Sequence, residues 1–209
     1  MNTLKRSIHL LLVVGLCVFC HVALAADEGK MTAAERAKAI KYLKDSQAET
    51  LAMIENLSDA QLKFKAAPEK WSVLDTAEHI MLAEKLIFSQ VEKALADKPN
   101  PDWEEKTKGK TELIEKAIVN RTTKVQAPEA IVPSSKLSRA EVIKGLKEGR
   151  AKTLKFAEET QVPLKTYTAE NPFFKTLNAY QWLIYVPLHN LRHNQQIAEV
   201  KADPNFPKK

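Results

Sequence analysis

Hydrophobic positions recur along this chain at helical spacing, and four long amphipathic segments emerge from the pattern. In the first, Ile40, Leu43, Leu51 and Ile54 share one helical face, ending near Asn56. Thr32-Ala-Ala-Glu35 precedes it as a capping box, in which the hydroxyl and the N3 carboxylate satisfy free amides reciprocally. Ser58-Asp-Ala-Gln61 predicts a short extra turn that breaks up near Pro68. Ser72, with Asp75 at N3, predicts the start of a second long helix, which Lys98-Pro99-Asn100-Pro101 stops after about Ala96. Ser138-Arg-Ala-Glu141 opens a third, to about Thr160, with an apolar stripe of Ile143, Leu146, Leu154 and Ala157 that Arg150 interrupts. Asn178-Ala-Tyr-Gln181 opens a fourth, to about Lys201, with Pro187 inside it and a kink expected there.

Between the second and third long helices the pattern is least regular. A short helix is expected over Thr111–Val119, and Thr122 to Ser135 reads as loop. Alternation of period two is nearly absent, so strands are not expected. The predicted fold is all-α: a four-helix bundle with a long irregular connection between helices 2 and 3.

The N-terminus follows a different rule. Lys5 and Arg6 precede an apolar run from Ile8 through Val22, and Ala23-Leu24-Ala25 follows. This is the arrangement of a secretory signal peptide, with cleavage expected after Ala25 and a bundle domain over residues 26–209. The run falls short of the roughly 20 residues a membrane span needs, although an uncleaved anchor is the competing reading. A cleaved chain would be periplasmic or secreted, with no stable membrane anchor.

Cleavage would change the chemistry available. Cys17 and Cys20 would leave with the signal, so disulfides, thiolate nucleophiles, cysteine-ligated zinc and covalent haem are excluded from the mature chain. Formal charge would fall from +6 to +4, with Lys and Glu interspersed. No basic stripe interleaved with aromatics stands out, so no nucleic-acid partner is expected.

Of the histidines, only His79, His189 and His193 would remain. His189 and His193 are four apart, so on a helix both imidazoles project from one face and can reach one metal ion. That face also carries Trp182, Gln196, Ile197 and Val200, a core-facing row. His79 lies two turns into the second helix, beside Leu82, Ala83 and Leu86. The competing reading is three hydrogen-bonded core histidines with no ion. A zincin is excluded, because His189-Asn-Leu-Arg-His193 has Asn190 where H-E-x-x-H has its base. Around the histidines, Asp75 could orient His79 or merely cap its helix; Tyr185 and Gln196 could support the site or pack. Arg150 could orient a bound partner, or extend its head out of the stripe to water.

The chain resembles the DinB-like superfamily of metal-binding four-helix bundles over roughly residues 32–205. The resemblance is carried by Trp71-Ser72, Glu78-His79-Ile80, Arg150, Asn171-Pro172-Phe173-Phe174 and Gln181-Trp182-Leu183. Most specific is the run Pro187-Leu-His-Asn-Leu-Arg-His-Asn-Gln-Gln-Ile197. It implies a divalent ion, usually zinc or nickel, held by His79, His189 and His193, with a position left open for water or substrate. Relatives of this kind include thiol S-transferases that use low-molecular-weight thiols, and a maleylpyruvate isomerase of related type. Many form dimers. The resemblance thus implies a metal-dependent transferase or hydrolase acting on a small molecule, with Arg150 and Tyr185 as weak catalytic candidates. The alternative is an exported, non-catalytic metal- or ligand-binding bundle. Two features depart from the pattern. Asn171 stands where many relatives have histidine before proline. An export signal also sets this chain apart from cytoplasmic members, and reduced small thiols are scarce outside the cytoplasm.

Overall fold

The computed structural model describes residues 28–208. The expected signal peptide and its cleavage site after Ala25 lie outside the described residues. The helices are α1 (Ala33–Ile54), α2 (Asp59–Lys63), α3 (Val73–Leu95), α4 (Trp103–Thr107), α5 (Lys110–Val119), α6 (Arg139–Glu159) and α7 (Ala179–Lys201). Capping boxes form at the starts of α1, α2, α3, α6 and α7, on Thr32, Ser58, Ser72, Ser138 and Asn178. Each is a local arrangement of side chain and backbone three residues apart, which is why the sequence places these starts so closely. Helix α7 runs through Pro187 without interruption. No helix of the described residues is long and apolar enough to cross a membrane.

Helices α1, α3, α6 and α7 form a four-helix bundle. Each of α1 and α3 packs extensively on both α6 and α7, while α1 and α3 touch only lightly. Two helices consecutive among the long four therefore lie on a diagonal. The most extensive contact joins α3 to α7, the two helices that carry the histidines.

The core is divided. One apolar cluster includes Leu43, Ala83, Ile87, Ala157 and Leu183; the other includes Ile54, Ile80, Leu146 and Ile197. Between them, along every long helix, the buried positions turn polar: Ser46 and Thr50 on α1, Glu84 on α3, Arg150 and Thr153 on α6, Asn190 and Asn194 on α7. Arg150 does not extend to water. It is 1 % exposed, and its five N–H donors meet five acceptors: both Glu84 carboxylate oxygens, the Leu43 carbonyl, the Ser46 hydroxyl and the Asn190 amide oxygen. On α6 the buried stripe starts at Val142, with Ile143 only partly buried, because the face that delivers Arg150 to Glu84 is the one turned inward.

A short helix and a hairpin stand where the sequence predicts neither. Trp103–Thr107 forms a short helix, and Thr168–Asn171 (β1) pairs antiparallel with Lys175–Asn178 (β2). At the hairpin tip the Asn171 side chain accepts from the amides of Phe173 and Phe174, at 2.9 and 3.0 Å, and Lys175 takes the left-handed conformation (φ 57°). Lys110 donates to the carbonyls of Phe174 and Thr176, and Trp182 donates to the Ala169 carbonyl. The hairpin thereby leads directly into the cap of α7.

Candidate metal centre

Two interleaved i,i+4 pairs occupy the middle of α7. His189 and His193 form one pair, Asn190 and Asn194 the other, and a helix sends the two toward adjacent flanks. The asparagines turn into the polar layer: Asn190 donates to Thr50 and to Asn194, and Asn194 donates to the Ser46 carbonyl and to Glu49. The histidines turn instead to α3, where His79 meets them.

The three imidazoles converge. One ligand nitrogen from each lies within 4.8 Å of the other two. Ring centroids are 4.4 Å apart for His79 and His193, 4.5 Å for His189 and His193, and 5.1 Å for His79 and His189. The Nε2 atoms of His79 and His193 are 3.2 Å apart. Two nitrogens bound about 2.0–2.1 Å from one tetrahedral zinc ion would stand about 3.3 Å apart.

The outer nitrogens show which tautomers are present. Nδ1 of His79 lies 2.7 Å from the carbonyl oxygen of Ile131, which only accepts, so that nitrogen carries the proton. Nδ1 of His193 likewise donates to Oε1 of Gln196 at 2.9 Å. Both Nε2 atoms are then bare acceptors aimed at one another with no proton between them. A cation satisfies that arrangement, whereas a hydrogen bond between the rings cannot form in it. The donor set fits a divalent metal ion.

Burial favours the same state. His79 and His193 are almost wholly buried and His189 is partly exposed. Desolvation lowers all three imidazoles; for His189 and His193 their histidine neighbours lower them further, and His193 falls to about 3. The rings are neutral at pH 7, as metal ligands must be.

The Ile131 carbonyl is placed by the long connection, over a stretch where the sequence predicts loop. Ile131 ends a short 3-10 turn (Glu129–Ile131) and is itself buried. Just beyond, the Ser134 amide donates to buried Glu78 at 2.7 Å and the Ser135 hydroxyl to Asp75 at 2.7 Å, so the strap is fastened to the first turns of α3. At its other end Arg192 gathers the carbonyls of Ile118, Asn120 and Thr123. Asp75 therefore does not orient His79. Its carboxylate is occupied by Ser72, Ser135 and Lys65.

Aromatic rings wall the centre. Trp71 lies over His79 with centroids 4.7 Å apart, and Tyr185 lies nearly parallel to His189 at 6.4 Å. Burial pushes the Tyr185 phenol up to about 12, so at neutral pH it can donate but not act as a base. Arg150 belongs to the polar layer and has no N–H left for a substrate. Gln196 and the Ile131 carbonyl are the supporting groups.

Comparison with known proteins places the fold. The DinB superfamily model matches residues 42–197. The chain is 23 % identical over 164 residues to the uncharacterized protein YuaE of Bacillus subtilis strain 168, a match covering 75 % of this chain and 93 % of YuaE. In fold it is similar to YfiT from Bacillus subtilis, with a TM-score of 0.52 at 13 % identity, covering 82 % of this chain and 88 % of that one. YfiT is described as "a probable metal-dependent hydrolase with an unusual four-helix bundle topology".

Proposed function

The chain belongs to the DinB superfamily, and from its three-histidine centre we propose that it is a divalent-metal-dependent hydrolase acting on a small molecule. The observation that carries this reading is the pair of bare Nε2 atoms 3.2 Å apart, each fixed by a hydrogen bond at the opposite nitrogen. An ion held by His79, His189 and His193 would keep an open position and would supply Lewis-acid chemistry there, on water or on a carbonyl. The protein's own contribution is positional. Ile131 and Gln196 hold two rings in their metal-binding tautomers, Trp71 limits water on one side, and the Tyr185 ring lies beside His189. Hydrolysis suits the export reading better than thiol transfer does, because a thiol cosubstrate would be scarce there. Zinc or nickel is the ion the donor set favours.

The test is metal analysis on untagged protein supplemented with zinc or nickel, followed by an activity screen. One ion per chain is expected, lost in the His79→Ala, His189→Ala, His193→Ala triple variant while its helical spectrum persists. Ester or amide hydrolysis without added thiol, abolished by chelation, is expected of the loaded protein. Activity only when a thiol and an electrophile are supplied would replace hydrolase by transferase. Failure to take up either metal would remove the enzyme reading altogether.

A further inference from the structure

We propose that Arg121 is a positioning residue for the metal centre: anchored on Glu199, it sets the Gln196 amide so that His193 keeps its proton on Nδ1 and leaves Nε2 bare. Arg121 sits at the start of the long connection, just after α5, and its guanidinium pairs with Glu199. Nε and Nη2 each donate to a different carboxylate oxygen at 2.7 Å. The remaining Nη1 donates to Oε1 of Gln196 at 3.1 Å, and the same oxygen accepts from His193 Nδ1 at 2.9 Å.

The direction of control follows from what each group is able to do. A guanidinium has donors and no acceptor, so the face of the Gln196 amide that meets Arg121 must be its oxygen. An oxygen that already faces His193 requires a donor there, and the proton is thereby assigned to Nδ1. Turned over, the amide would present its NH2 to both the guanidinium and the ring, donor against donor at Arg121. Removal of Arg121 lifts that restriction. The amide could then donate to Nδ1, sending the proton to Nε2. From there it would point at His79 Nε2, 3.2 Å away, and an imidazole–imidazole hydrogen bond would close the site against an ion. His79 needs no such device, because its partner, the Ile131 carbonyl, has no donor to offer. The centre thus has one ring fixed by backbone and one fixed by a side-chain relay that begins on a surface ion pair.

The experiment compares the wild-type chain with Arg121→Met and with the Arg121→Met, Gln196→Glu double variant. Histidine tautomers are read by nitrogen-15 correlation spectra of chelator-treated protein, and zinc affinity by competition with a chromophoric chelator. Wild type should show His193 protonated on Nδ1. Arg121→Met should move a large share of that proton to Nε2 and weaken zinc binding by about ten-fold, at the lower end of what outer hydrogen-bond partners contribute. The double variant should restore Nδ1 protonation, because a carboxylate at position 196 can only accept. A purely structural Arg121 would shift the urea midpoint and leave the tautomer alone. Retention of the wild-type tautomer in Arg121→Met, or no restoration in the double variant, would overturn the proposal. The affinity comparison rests on the metal-dependent reading above. The tautomer comparison does not, so a chain that binds no zinc would defeat that reading while the spectra still decide the role of Arg121.

Discussion

At the scale of single residues, the three imidazoles bear on acid stability. Each is held below its ordinary pKa by desolvation first, and for His189 and His193 by histidine neighbours next. A histidine is protonated below about pH 6.5 in the unfolded chain but stays neutral in the metal-free native state. The unfolded state therefore binds more protons as pH falls through that value, and stability drops by up to about 1.4 kcal/mol per pH unit for each such ring. The loss begins near pH 6.5 and, for His193, continues to about 3. Asp75 acts in a separate, lower window. Desolvation raises its pKa, but bonds from Ser72, Ser135 and Lys65 outweigh that and hold it below the ordinary value, so its contribution is lost only in stronger acid. Urea titrations of metal-free protein at pH 7, 5.5 and 4.5 should show a falling midpoint. Replacing all three histidines by asparagine should flatten that fall. An equally steep loss in the triple variant would mean that the rings titrate normally.

At the scale of elements, the polar layer is what the sequence conceals. The helix starts are legible because a capping box is written within four residues, as at Ser72 and Asn178. Arg150 is different: its partners Glu84 and Leu43 lie 66 and 107 positions away, and an arginine inside a stripe reads as exposed until those are known. The hairpin escapes for another reason. Its turn rests on the Asn171 side chain and a left-handed Lys175 instead of the Asn-Gly or Asp-Gly pairs that announce hairpins. Asn171 thus has a structural task in the turn. The layer also makes a quantitative expectation. Arg150→Met strands the Glu84 carboxylate and should cost about 3–5 kcal/mol in urea unfolding, the range for breaking a buried ion pair. Adding Glu84→Gln removes the orphan charge, so the double variant should be more stable than Arg150→Met by about 1 kcal/mol or more. Strictly additive losses would show that the two groups do not depend on one another.

At the scale of the whole molecule, the histidine triad is legible in the sequence and its support only at Gln196, which the spacing leaves open between support and packing. The spacing of His189 and His193 on one helix is a sequence property, and the family resemblance linked His79 to them. Ile131 contributes a backbone carbonyl, which no residue type signals, and Arg121 reaches Gln196 across 75 positions. The same division explains how an ion would relate to the fold. All three histidines of the centre come from α3 and α7, already the most extensively packed pair, while α1 and α6 contribute none. The four helices are instead tied together by the two apolar clusters and by the Arg150 layer between them, which needs no ion. The bundle should therefore fold without metal, unlike domains whose folding free energy is metal binding itself. Metal would act by mass action on a folded state, adding about 2.7 kcal/mol at a free concentration about 100 times Kd. For a domain of this size that corresponds to a rise in Tm of about 5–10 °C. Chelated protein should show a full helical spectrum and one cooperative transition, and zinc should move that transition upward by this amount without adding helix. A chelated chain without helical structure would show that the metal, and not the polar layer, holds the four helices together.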